Sequence, residues 1–183
     1  MIVYYLSSNK YKIAEIQAIL NSESIVVLPV QEKIREIQST NMKEIAVDKA
    51  LKAFIHIGRP IIVEQTGLLL KDFGDLPGGL TQIFWDSLEA DSFGRYFSAT
   101  NTAQVVAKSV IAYCDGRRIQ TFDGEIAGHI VFPPRGSRNF QWDCVFQPLG
   151  YNQTFAEMGE AKNAISMRRI AIEKLKKYLE CNP

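Results

Sequence analysis

Apolar residues switch between strand-like and helix-like spacing along the first third of this chain, and that order constrains the fold more than any other feature. Residues 1–6 form a short apolar run rich in β-branched side chains, ending at the polar Ser7-Ser8-Asn9. A helical pattern follows, with Ile13, Ile16, Ile19 and Leu20 on one face. Residues 25–30 read as a second strand. Residues 41–57 read as a second helix, with Ile45, Leu51, Phe54 and Ile55 as its buried positions. Arg59-Pro60 breaks that helix, and residues 60–63 begin a third strand. Strand–helix–strand–helix–strand order predicts an α/β domain.

Beyond it, residues 72–79 (DFGDLPGG) read as a Gly/Pro-rich loop and residues 84–100 as a helix. Three strand-like runs cover residues 104–113, 119–124 and 126–132, with Asp115-Gly116 as a hairpin turn between the first two. Pro133-Pro134-Arg135-Gly136 is a loop, residues 145–147 a short strand, and residues 164–179 a helix whose lysine-rich end suits the helix dipole. The sequence has no repeat, low-complexity tract or interdomain linker. The mid-chain hairpins predict a second lobe, so residues 1–183 read as a single domain with two lobes and a cleft between them.

A net charge of +1 gives no electrostatic reason to expect nucleic acid or a membrane surface as partner. No apolar run is long enough to span a bilayer, and the N-terminus lacks the basic start and small-residue cleavage site of a signal peptide. Cys114, Cys144 and Cys181 are odd in number, widely spaced and free of any CxxC pattern, which predicts reduced thiols and a cytoplasmic location. His56 and His129 are the only histidines and read as structural.

Chemistry-bearing residues gather in three places. Ser7-Ser8-Asn9-Lys10-Tyr11-Lys12 sits where a strand turns into a helix, and backbone N–H groups at a helix start attract phosphate; alone, the motif is also an ordinary helix cap with a solvated lysine. Glu64-Gln65-Thr66-Gly67-Leu68 follows the third strand, where ligands bind in open α/β sheets. Glu32, Glu36 and Glu64 can hold Mg²⁺ if they converge; dispersed, they are solvated surface carboxylates. Residues 140–169 pack Phe140, Trp142, Asp143, Glu157, Lys162, Asn163, Ser166, Arg168 and Arg169 into one block, too polar for a core. Aromatic faces beside hydrogen-bonding groups suit a planar heterocycle, although an aromatic residue is by default a core residue.

Taken in order, these segments resemble the inosine triphosphate pyrophosphatase family over nearly the whole chain. The first family motif, Thr/Ser-x-Asn-x-x-Lys, matches Ser7 to Lys12. Glu36-Ile37-Gln38, Glu64-Gln65-Thr66-Gly67-Leu68 and Leu76-Pro77-Gly78 are similar to its metal, acidic and Pro-Gly segments. Phe140-Gln141-Trp142-Asp143, Phe155-Ala156-Glu157-Met158, Lys162-Asn163 and Ser166-Met167-Arg168 resemble its closing blocks. The resemblance implies an elongated, two-lobed mixed sheet flanked by helices, with a central nucleotide cleft. It further implies a homodimer, Mg²⁺ dependence, and hydrolysis of deaminated purine nucleoside triphosphates (ITP, dITP, XTP) to monophosphate and pyrophosphate. On this reading Ser7, Asn9 and Lys12 hold the triphosphate, and Glu36 and Glu64 bind the metal. Lys12, Glu64 and Gln65 occupy the catalytic positions. Thr66, Phe140, Trp142, Asp143, Lys162, Ser166, Met167 and Arg168 bind substrate.

Four positions depart from the family pattern. Gln65 stands where the family has a catalytic aspartate, and an amide is neither a base nor a good magnesium ligand. Met167 replaces a histidine, Gln141 a glycine and Cys144 a proline. Gln141 would block or newly read the base edge. Three readings therefore stand: an active pyrophosphatase, a nucleotide-binding homologue with weakened or lost hydrolysis, and an enzyme of the same fold with another nucleotide substrate.

Overall fold

The computed structural model describes residues 1–98 and 104–182. The predicted opening order is present: β1 (Ile2–Leu6), α1 (Lys10–Leu20), β2 (Val26–Val30), α2 (Met42–Ile57) and β3 (Ile61–Leu70). A 3-10 turn at Lys71–Phe73 leads to the short β4 (Leu76–Gly78), within the predicted loop. Next come α3 (Thr81–Phe97), β5 (Gln104–Cys114), β6 (Ile119–Ile130) and, after a 3-10 turn at Gln141–Cys144, β7 (Phe146–Pro148). The short α4 (Phe155–Met158), a 3-10 segment and α5 (Met167–Cys181) complete the chain. The helix expected over residues 84–100 is α3, kinked at Glu89 (φ 53°); residues 99–100 lie outside the described ones.

The strands form one mixed sheet in the order β2-β1-β3-β5-β6-β7, with β4 paired to the end of β3. β1 runs parallel to β2 and β3, and the remaining pairings are antiparallel. Pro29 lies in β2, the edge strand, where a missing N–H breaks no ladder.

Strand alternation sorts side chains to two faces. Ile62 joins Tyr5, Ile111 and Tyr113 beneath α1 and α5, while Ile61 and Val63 join Val110 and Ala112 beneath α2. A third cluster, around Leu68, Phe93, Trp142, Phe146 and Phe155, fills the other end of the sheet.

Several expectations are corrected. Glu64-Gln65-Thr66-Gly67-Leu68 does not follow the third strand; it lies inside β3, whose ladder with β5 continues to Leu70↔Val105. Polar residues stay in register there because backbone pairing ignores side-chain polarity. The two runs 119–124 and 126–132 are one strand, β6, passing through Gly124. Leu51 and Ile55 are exposed; α2 meets the sheet through Met42, Ala46, Ala50 and Ala53, a stripe of mostly small side chains that brings helix and sheet close.

Gly124 shows how tightly α5 lies on β6. A Cβ there would sit 2.0 Å from the backbone oxygen of Met167 and 2.9 Å from the backbone nitrogen of Ala171. Gly124→Ala should therefore push the start of α5 off the sheet and cost ~1–3 kcal/mol in urea unfolding. An unchanged midpoint would show that α5 shifts freely.

Candidate active site

β1 delivers the chain to a turn at Ser7-Ser8-Asn9, and α1 starts immediately after it. The Oδ1 of Asn9 accepts from the N–H groups of Tyr11 (3.0 Å) and Lys12 (3.2 Å), and the Oγ of Ser7 accepts from the Asn9 N–H (3.2 Å). Asn9 is thus the N-cap of α1, and it consumes two of the amides that would otherwise face an anion. What the turn contributes to the cavity above it is chiefly the Lys12 ammonium.

That cavity measures about 810 Å³, and Ser7, Asn9, Lys12, Glu32, Glu36, Lys49, Glu64 and Gln141 are among the residues that line it. The three candidate carboxylates do converge on one cleft. A second cavity of about 500 Å³ lies beside it, lined by Tyr11, Glu15, Phe140, Asp143, Lys162 and Arg168 among others.

Charged groups beneath the two cavities form one buried network. Glu64, 6% exposed, accepts from Ser109 Oγ (2.8 Å) and Arg168 Nε (2.7 Å) on Oε1, and from Tyr5 Oη (3.2 Å) on Oε2, where Lys12 Nζ also lies at 3.1 Å. Arg168, 3% exposed, reaches on through Nη1 to Glu15 Oε2 (2.8 Å), and the other Glu15 oxygen accepts from Ser166 Oγ (2.9 Å). Burial alone raises a carboxyl group, but Arg168 and Lys12, with the Ser109 hydrogen bond, bring Glu64 down to about 2. Burial lowers the Lys12 ammonium, with Glu64 opposing. Arg168 is raised in spite of burial by Glu64 and Glu15.

In the second cavity Asp143 is buried and ion-paired with Lys162; burial raises its carboxyl group while Lys162 works against the shift. The Lys162 Nζ stands 3.9 Å from the centroid of Phe140, and the edge of Tyr11 meets the same ring at 6.0 Å. An aromatic face, a carboxylate and an ammonium therefore share one pocket.

Other expected site residues lie elsewhere. Trp142 is 3% exposed and packs edge-on against Phe146 in the core, so it offers no face to the cavity. Met167 is in the same core cluster. Ser166 caps α5, accepting from the Arg169 N–H at 3.1 Å. Thr66 sits mid-strand opposite Ser109. Gln65 points to the opposite face of β3 from Glu64, and its Nε2 donates to the Gly79 oxygen at 3.3 Å. Sequence reasoning missed Tyr5, Glu15, Lys49 and Ser109. A usable signal existed for two of them: Glu15 falls one turn from Lys12 on α1, and Ser109 is the polar residue on the face of β5 that otherwise carries Val105, Ala107, Ile111 and Tyr113.

The donor set decides where a divalent cation fits. A carboxylate has about four acceptor directions, and Glu64 has a donor on each in this structure, so a cation there would have to displace Lys12 or another donor. Glu36 fits: it borders the cleft with its side chain 38% exposed, paired at 2.5 Å with Lys49. One carboxylate is enough for an ion whose other ligands are phosphate and water. Among the described residues no group of three or more His, Cys, Asp or Glu side chains is placed to hold a metal.

The stabilisation carried by Glu64 is present above the unfolded carboxyl value of about 4.3 and is lost as pH falls through its folded value, about 2. Arg168→Met would leave Glu64 and Glu15 buried without their shared cation, and should cost ~3–5 kcal/mol at pH 7 in urea unfolding. The gap to the unsubstituted protein should narrow as pH falls toward 2. A loss below ~1 kcal/mol at pH 7 would place the pair with exposed ion pairs.

Comparison with known proteins agrees with this architecture. A match to the Ham1 family spans residues 3–178. An inosine triphosphate pyrophosphatase of Yarrowia lipolytica is 37% identical over 98% of this chain and 96% of its own. A dITP/XTP pyrophosphatase of Hyperthermus butylicus is 32% identical over 97% and 94%. Among solved structures, a HAM1 protein from Coxiella burnetii superposes with a TM-score of 0.84 at 26% identity, covering 98% of both chains. The Ham1 protein of Staphylococcus aureus shares the fold, with a TM-score of 0.83 at 22% identity over the full length of both. With its sheet order, its adjoining cavities and a family match over nearly its whole length, this chain belongs to the Ham1 family.

Proposed function

We propose that the protein hydrolyses nucleoside triphosphates of deaminated purines, releasing pyrophosphate and the nucleoside monophosphate. One observation carries the reading: a cation-bearing cleft large enough for a triphosphate adjoins an aromatic pocket with a carboxylate and an ammonium, and the Lys12–Glu64–Arg168 network underlies both. A deaminated purine presents a carbonyl oxygen where adenine has an amino group, and an N–H beside it. Lys162 can donate to that oxygen and Asp143 can accept from that N–H, with Phe140 against the ring. Adenine reverses both polarities, so neither Lys162 nor Asp143 gains a hydrogen bond from it.

In the cleft, attack of water on the α-phosphorus forms a P–O bond as the bond to the α,β-bridging oxygen breaks and pyrophosphate leaves. The water proton passes to a cleft carboxylate or to solvent. Lys12 neutralises charge that develops on the phosphate oxygens, and Glu64 holds Lys12 in place. Glu64 itself, near 2, is too weak a base to take the proton at neutral pH. Mg²⁺ entering with the triphosphate would be held on the protein side by Glu36 and would supply further neutralisation of phosphate charge.

We further read residues 1–183 as a single domain with two lobes, active as a cytoplasmic homodimer that binds no nucleic acid. No helix among the described residues is long and apolar enough to cross a membrane.

Pyrophosphate release from ITP, dITP and XTP with Mg²⁺, exceeding that from ATP, is the expected result; absence of turnover with all of them would defeat the proposal. Lys12→Ala should lower kcat on the order of 10²-fold.

Gln65 favours a second reading, in which binding persists and hydrolysis is weakened, because its amide is spent on the Gly79 oxygen and supplies no base. Gln65→Asp should then raise kcat by ~10²-fold or more with KM little changed. Unchanged kcat would show that Gln65 is not the limiting group.

A further inference from the structure

We infer that Gln141 is a specificity-determining residue that reads the sugar of the nucleotide, favouring ribose over 2′-deoxyribose. The inference rests on the nucleotide reading above and adds the contact between base and phosphates.

Gln141 stands on the boundary of the two cavities. Its neighbours Phe140 and Asp143 line the 500 Å³ pocket, whereas Gln141 lines the 810 Å³ cleft. Among the described residues none lines both, so a ligand with its ring against Phe140 and its phosphates by Lys12 must carry its sugar across this boundary. Gln141 is the residue that the Gln141–Cys144 turn contributes to the cleft lining, and its side chain is a neutral carboxamide. It both donates and accepts, as a sugar hydroxyl does, whereas a phosphate is better met by the ammonium groups already facing the cleft.

The backbone gives independent support. Gln141 has φ +42°, in the left-handed region that glycine enters at no cost and a glutamine side chain does not favour. A strained residue persists where its side chain has work. One such task is visible: the Gln141 Nε2 donates to the Oε1 of Gln82 in the first turn of α3. That contact offers a competing explanation, in which Gln141 merely ties the turn to α3.

Two variants separate the explanations. The unsubstituted protein should show kcat/KM for ITP about three- to tenfold above that for dITP, the range of one hydrogen bond at a partly exposed site. Gln141→Gly should bring that ratio to about 1 through a higher KM for ITP, with kcat within about twofold. Its Tm should be unchanged or higher, since glycine suits the backbone. Gln82→Ala removes the tie, keeps the carboxamide, and should retain the ribose preference. Equal kcat/KM for ITP and dITP in the unsubstituted protein overturns the inference. So does a preference that survives Gln141→Gly, or one that Gln82→Ala abolishes as completely. If no triphosphate is turned over, the catalytic reading fails separately. Ribose against deoxyribose binding, read from the rise in Tm with ITP and dITP, then decides the sugar contact by the same criteria.

Discussion

Arg168 is the interaction on which the rest depends. Its guanidinium joins Glu64 from the middle of β3 to Glu15 from α1, and it is itself delivered by the first turn of α5. Three elements distant in sequence are thereby held at one point beneath both cavities. Desolvating a lone guanidinium costs several kcal/mol, so this geometry is favourable only while both carboxylates are present and aimed. Tyr5 and Ser166 satisfy the carboxylate oxygens that Arg168 does not reach, and Ser109 adds a second donor to the Glu64 oxygen that it does. The site floor is therefore held together by its own hydrogen bonds and ion pairs without a ligand, which is what electrostatic preorganisation requires.

Much of the architecture was legible in the sequence because apolar periodicity reports burial directly. β1, α1, β2, α2 and the start of β3 follow it closely. Periodicity fails where burial is shared with polarity. The stretch from Glu64 to Thr66 looks like a loop because it is hydrophilic, yet it is strand, since its carboxylate is neutralised inside the protein rather than by water. Leu51 and Ile55 fail for the opposite reason: alanines, weak signals on any hydrophobic scale, hold the helix against the sheet.

The site was legible in residue type more than in role. Lys12, Glu36, Phe140, Asp143, Lys162 and Arg168 do border the two cavities. Trp142 and Met167 sit among them in sequence but face the core, because short 3-10 and helical turns send neighbouring side chains in opposite directions. Glu64 reads as a metal ligand from the sequence alone; in the structure it is also the counter-ion of Lys12 and Arg168.

Three of the four lysines that line the two cavities hold a carboxylate: Lys12 with Glu64, Lys49 with Glu36, Lys162 with Asp143. Lys33 and Arg35 line the larger cleft as well, with no ion pair to either among the described residues. A triphosphate approaching this surface therefore meets paired charges beside two cations without a carboxylate partner. A divalent ion carried on the phosphates would alter that balance: held by Glu36, it would compete with Lys49 and leave an ammonium for the anion. Metal and nucleotide should then assist one another's binding, through an exchange of partners at Glu36 and without movement of the buried Arg168 anchor.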